Sequence, residues 1–162
     1  MDSKRYFRPG WVWLFPTAYL IHLLDERFYW IGTARFATEY LDIYFTDAAW
    51  LWVNVPSLLL VALVSWLVIR GTWPEWLLVA LAVHFLAHSL GRVPTSVWHG
   101  TIQPGLVSGL LLCVPLGLAT LAKGLRVFSR RELTLGFVVG IASIQPLWHF
   151  AMLPWLPSPP AV

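Results

Sequence analysis

The sequence is poor in charge. Of its 162 residues, 12% are Asp, Glu, Lys or Arg, while 58% are hydrophobic. A soluble domain carries about twice that charge, so the balance excludes an ordinary soluble globule and points to an integral membrane protein. Cysteine is almost absent. Cys113 stands alone, which removes both a disulfide framework and a thiolate metal cluster. The apolar segments are about 20 residues long and lack strand-like alternation, which excludes an outer-membrane barrel. The net charge is only +3, with basic residues gathered at chain ends and loops, so nucleic acid is not an expected partner. The inverted repeat of many carriers is also missing, which ranks transport low. The chain is too short for two membrane domains, and a single helical domain over residues 1–153 with a Pro-rich tail over 154–162 is expected.

The expected fold is all-α, a membrane bundle of five spans: Trp11–Ile31, Ala48–Ile69, Glu75–Arg92, Ile102–Lys123 and Glu132–Leu153. Lys4, Arg5 and Arg8 ahead of the first run imitate a signal peptide. Asp25 and Glu26 within that run, and the lack of a small-residue cleavage site, mark it instead as a membrane helix. The third span is the shortest and carries two histidines, so a tilted or re-entrant segment stays open there. Between the first two spans, Thr33–Asp47 places Phe36, Tyr40, Ile43 and Tyr44 on one helical face, opposite Arg35, Thr38, Asp42 and Thr46. That pattern suits a short amphipathic helix on the outer interface, serving as a connector or as a lid. Gly105/Gly109 and Gly136/Gly140 form two G-x-x-x-G pairs, expected to bring the fourth and fifth spans close. Pro115 and Pro146 should kink those spans and free the carbonyls of Leu111 and Ala142. With the N-terminus inside and the C-terminus outside, Lys4, Arg5, Arg8, Arg70, Lys123, Arg126, Arg130 and Arg131 fall on the inner face. Only Arg27, Arg35 and Arg92 fall outside, as the positive-inside rule favours.

Against this apolar background, His22, Asp25, Glu26 and Arg27 in one membrane segment require a reason. Insertion of an Asp or Arg at a helix centre costs about 2.5–3.5 kcal/mol. In a helix His22, Asp25 and Glu26 lie at i, i+3 and i+4, on one face. His84 and His88 share a face of the third span, with Arg92 one turn further. The fifth span adds Gln145, Trp148 and His149, and His99 reads as a loop residue. At 1.5 Å per residue, His22 to Glu26 lie roughly 16–23 Å from the inner end, His84 to His88 roughly 13–20 Å, and Gln145 and His149 about 20–26 Å. Polar residues at one level on three helices predict one shared site in the outer half of the membrane.

Imidazole and carboxylate are ligands for zinc and non-haem iron. The expected ligands are His22, Glu26, His84 and His88, with Asp25 and Glu26 as candidate catalytic groups. Arg27, Arg92, Gln145, Trp148 and His149 would support them or touch substrate. The first expectation is therefore a metal-dependent membrane enzyme for a small lipophilic substrate. A metal-free isomerase or cyclase of a terpenoid or sterol-like substrate stands beside it, with tryptophan faces stabilising a cation. A non-catalytic accessory or transport protein, or a purely structural polar network, are the remaining readings. Partners would be membrane lipids and the lipophilic substrate; a homo-oligomer stays open.

At His22, Asp25 and Glu26 the chain resembles the HXXEE-domain family of small bacterial membrane proteins, named for H-x-x-E-E in the first membrane helix. Here the first acidic position is Asp, one methylene shorter than Glu. The likeness continues through His84, His88 and Gly91 and the turn Gln103-Pro104-Gly105-Leu106-Val107, covering about Phe15 to Ala122. It implies a helical membrane fold, a bacterial inner-membrane location and a residue set, not a reaction.

Overall fold

The computed structural model describes residues 5–28, 32–41 and 45–144. All regular structure among them is helical. The order is α1 (Pro9–Phe28), α2 (Gly32–Tyr40), α3 (Asp47–Arg70), α4 (Leu77–His99), α5 (Leu106–Val127) and α6 (Arg130–Ala142). The ends follow local chemistry. The Thr46 hydroxyl accepts from the Ala49 N–H at the start of α3, and Gly71 (φ +73°) closes its end. Ser129 and Glu132 form a reciprocal capping box at the start of α6, satisfying two otherwise orphaned amides.

Three helices, not the expected five, are long and apolar enough to cross a membrane among the described residues: α3, α4 and α5. The 20 residues of α1 reach about 30 Å, but its C-terminal Asp25, Glu26 and Arg27 lower its hydropathy. The expected span Glu132–Leu153 is described only to Ile144. Gln145, Pro146, Trp148, His149 and the tail 154–162 lie outside the described residues.

The expected loop Val93–Thr101 is instead mostly helix. α4 continues through Pro94 to His99, and Gly100 (φ +61°) closes it, its amide and that of Thr101 returning to the Val97 and Ser96 carbonyls. A proline removes one helical hydrogen bond, and this Schellman-like closure holds the turn that comes after it. His99 is thus a helix-end residue, packed against Phe36 and Tyr40 of α2 at ring-centroid distances of 6.4 and 6.1 Å. The expected amphipathic helix is shorter than Thr33–Asp47: α2 spans nine residues, burying Phe36 and Ala37 and exposing the Arg35–Glu39 pair. Thr46 caps α3 rather than extending α2, and residues 42–44 lie outside the described residues. Before Pro115, Gly109–Cys113 widens into a π-helical turn in which the Val114 amide reaches back to the Gly109 carbonyl, a distortion common near functional sites.

α4 is the hub. The glycines expected to join the fourth and fifth spans instead seat α5 and α6 on α4. A Cβ at Gly109 would lie 3.0 Å from the Ser89 hydroxyl, at Gly117 3.1 Å from the Ala82 carbonyl, and at Gly136 2.8 Å from Val79 Cβ. At Gly140 it would lie 2.6 Å from the Ala80 carbonyl oxygen and 2.7 Å from Val83 Cβ. Backbone cannot yield there, so Gly140→Ala is expected to lift α6 from α4. Overpacking of this kind costs about 1–3 kcal/mol, which should appear as a lower melting temperature in detergent. Gly10→Ala, where no atom lies within 4 Å of the new Cβ, should leave the melting temperature unchanged or raise it.

Candidate functional site

Where α1, α4 and the entry to α5 converge, the buried polar residues gather. His22 and Glu26 of α1 are 1% and 2% exposed, and Arg92 of α4 is 6% exposed. Glu26 is the centre of the group. Its Oε1 lies 3.2 Å from His22 Nε2 and 3.5 Å from His88 Nε2, and accepts from Arg92 Nη2. Its Oε2 accepts from the Trp50 indole N–H at 3.1 Å. Arg92 also donates from Nη1 to the Pro104 carbonyl and from Nη2 to His88 Nε2, the latter at 2.8 Å.

Donor and acceptor counting bounds the tautomers. Ser108 has one hydroxyl proton, with the Gly105 carbonyl 3.3 Å away. His22 Nδ1 lies 3.0 Å from the same hydroxyl: with the imidazole proton on Nδ1 the Nε2 lone pair faces Glu26, and with it on Nε2 the N–H points to Glu26 Oε1 at 3.2 Å. Arginine has no acceptor, so at His88 Nε2 the imidazole accepts. His84 repeats the pattern. Ser143 donates to the Gly140 carbonyl at 2.7 Å and accepts from His84 Nδ1 at 2.9 Å. At His22, Nε2 is buried without a hydrogen-bond partner, 3.2 Å from the Glu26 carboxylate oxygen. Arg92 Nη2 already brings positive charge to that same carboxylate oxygen.

His22, Glu26 and His88 have ligand atoms all within 4.8 Å of one another. Zinc–nitrogen and zinc–oxygen distances of about 2.1 Å place tetrahedral ligand atoms roughly 3.4 Å apart, so small side-chain movements would close these three on an ion. A Glu and two His supplied by different helices, with another coordination position open, is a donor set suited to zinc or non-haem iron.

Not every expected residue joins the group. His84 stacks on His88 with ring centroids 5.9 Å apart, but it is tied to Ser143 and stands outside the three-ligand set. Arg27 turns away to pair with the exposed Asp47 at 2.9 Å, because at i+1 from Glu26 it projects from a different face of α1. Asp25 also leaves the ligand group. Its carboxylate accepts from the Ser108 N–H at 3.0 Å, bound to the amide-rich start of α5, where negative charge is favoured. Gln145, Trp148 and His149 lie outside the described residues.

Sequence reasoning missed Trp50, Ser108 and Thr33, whose hydroxyl donates to the Glu26 carbonyl at 3.1 Å. Trp50 had one available signal: an indole in the first turn of α3, at the outer level of the histidines, has an N–H to satisfy. The role of Gly105 was also unforeseen. It sits at φ +80°, and a Cβ there would lie 2.7 Å from Glu26 Cγ, 2.8 Å from His22 Cε1 and 3.3 Å from Arg92 Nη1. A cavity borders the group on the side of α3, walled by Tyr19, Trp50, Asn54 and Ser57 with His84 and His88 opposite. It offers about 40 Å³ to the centres of water molecules, and one water needs about 10–15 Å³ by that measure. Small polar groups fit.

The family model described as "Protein of unknown function with HXXEE motif" matches residues 13–120. Among curated proteins and among solved structures, none matches the chain.

Proposed function

The chain belongs to the HXXEE family, and from the geometry of its site we propose a membrane-embedded, metal-dependent enzyme that acts on a small lipophilic substrate. The observation that carries this reading is the unpartnered Nε2 of His22, buried against Glu26 and His88. The motif's His and its last acidic residue supply two of the three ligands, and α4 supplies the third. Asp25 is proposed as the positioning residue. It holds the start of α5, whose Ser108 hydroxyl pairs with His22 Nδ1 and fixes the ring with Nε2 toward Glu26. Zinc or iron in this site would supply an activated water or a polarised substrate oxygen.

We extend the proposal to five crossings, with the expected spans Trp11–Ile31 and Glu132–Leu153 joining α3, α4 and α5. The basic residues at the ends of α3, α5 and α6 favour an inner-membrane protein with its N-terminus inside. Thr33 and Phe45 border the cavity, which supports α2 as a cover of the site.

Elemental analysis of detergent-purified protein tests the reading. The wild type is expected to hold close to one equivalent of zinc or iron. His22→Ala and His88→Ala should lose it, while His84→Ala should keep most of it. Metal retained by a His22→Ala/His88→Ala double variant would refute this ligand set.

A second reading has its own support. Arg92 already compensates the charge of Glu26 without a metal, which leaves room for a metal-free isomerase or cyclase in which Asp25 is the acid–base group. Folded, metal-supplemented protein that stays empty, with activity that survives a strong chelator, would establish that alternative.

A further inference from the structure

We infer that the site takes an amphiphile by an anionic head group, a carboxylate or a phosphate, held between Arg92 and the ion bound by His22, Glu26 and His88. This rests on the metal reading above. Charge balance is the first argument. A divalent ion and the Arg92 guanidinium together bring three positive charges to a site in which Glu26 supplies one negative charge. The neighbouring Asp25 carboxylate, held by the Ser108 amide outside the ligand set, supplies a second and still leaves one positive charge over. Uncompensated charge in a protein interior is costly, so an anion completes the site.

The geometry of Arg92 is the second argument. Its Nη1 is anchored on the Pro104 carbonyl, and its buried Nε has no hydrogen-bond partner. Its Nη2 donates to Glu26 Oε1 and His88 Nε2, the two atoms that an ion would claim. Once they are claimed, Nη2 joins Nε as a free donor. Those two N–H groups form one edge of the guanidinium, the fork that receives two oxygens of a carboxylate or phosphate. Lysine offers no such fork.

Size is the third argument. Space of about 40 Å³ for water centres fits a small polar head group. The apolar Phe45, Val53 and Ile144 border the same cavity and give the start of an attached chain an apolar surface.

Linkage supplies the test: a ligand that binds the ion and Arg92 together must tighten ion binding by the factor by which the ion tightens its own. Zinc affinity is measured in nonionic detergent with decanoate, decyl phosphate or decanol. Decanoate or decyl phosphate is expected to tighten zinc about tenfold or more, within the usual range of such couplings, and decanol to have no effect. Zinc sequestered by free decanoate would weaken apparent binding, so the expected sign is not an artefact of chelation. Which anion acts at lower concentration distinguishes carboxylate from phosphate. In Arg92→Gln the coupling should vanish while zinc still binds; in Arg92→Lys, which keeps the charge, it should fall without vanishing. Zinc that binds but responds equally to decanol, or to none of the three, overturns the inference and leaves the metal reading intact. Folded protein that binds no zinc or iron removes the metal reading and this inference with it.

Discussion

Gly105→Ala is expected to be among the most damaging single substitutions in the chain. Two costs combine at that position. A non-glycine residue held in the left-handed region costs about 1–3 kcal/mol. The new Cβ would also meet Glu26 Cγ, His22 Cε1 and Arg92 Nη1 at 2.7, 2.8 and 3.3 Å, and overpacking of a full core costs about 1–3 kcal/mol more. The total of about 2–6 kcal/mol is a large part of ordinary domain stability. Gly100→Ala separates the two effects, because Gly100 has φ +61° but no atom within 4 Å of its added Cβ. It should show the backbone cost alone. Thermal unfolding of both variants in one detergent makes the comparison, and equal losses would mean that Gly105 does not wall the site.

Glu26→Gln is the second large effect. The substitution removes the charge that Arg92, His22 and His88 surround and leaves the guanidinium buried against a neutral amide. Breaking one side of a buried ion pair costs about 3–5 kcal/mol, and bound metal should go with it. Glu26→Gln/Arg92→Leu removes both charges and should recover much of the stability without recovering metal. Asp25→Asn should be milder. Its half-buried side chain still presents an oxygen to the Ser108 amide, and loss of a helix-capping contact costs about 0.5–2 kcal/mol. A larger loss from Asp25→Asn than from Glu26→Gln would mean that Asp25, and not Glu26, is the central acidic residue of the motif.

The site was legible to different depths. His22 and Glu26 stood out because charged groups in an apolar segment are expensive, and i, i+4 spacing places them on one helix face. His88 was legible from depth alone. Its separation from His84 was not, because two residues one turn apart look equivalent until a neighbour such as Ser143 claims one of them. Arg27 and Asp25 looked like members of the group on spacing. Their partners, Asp47 and the Ser108 amide, come from distant chain segments that local periodicity does not register.

Composition and hydropathy by themselves determined that this is an all-helical chain with membrane-length apolar helices, because scarce charge and segments of about 20 apolar residues leave few other solutions. The motif His22, Asp25, Glu26 likewise announced the family. The tertiary structure decided which residues meet. It made α4 the hub by seating Gly109, Gly117, Gly136 and Gly140 against it. It brought His88 and Arg92 to Glu26, Trp50 to the same carboxylate, and the Pro104–Gly105 turn over all of them. Spacing along a helix fixes a face, but only packing fixes what that face meets. The tautomers of His22 and His88 depend on partners 86 and four residues away.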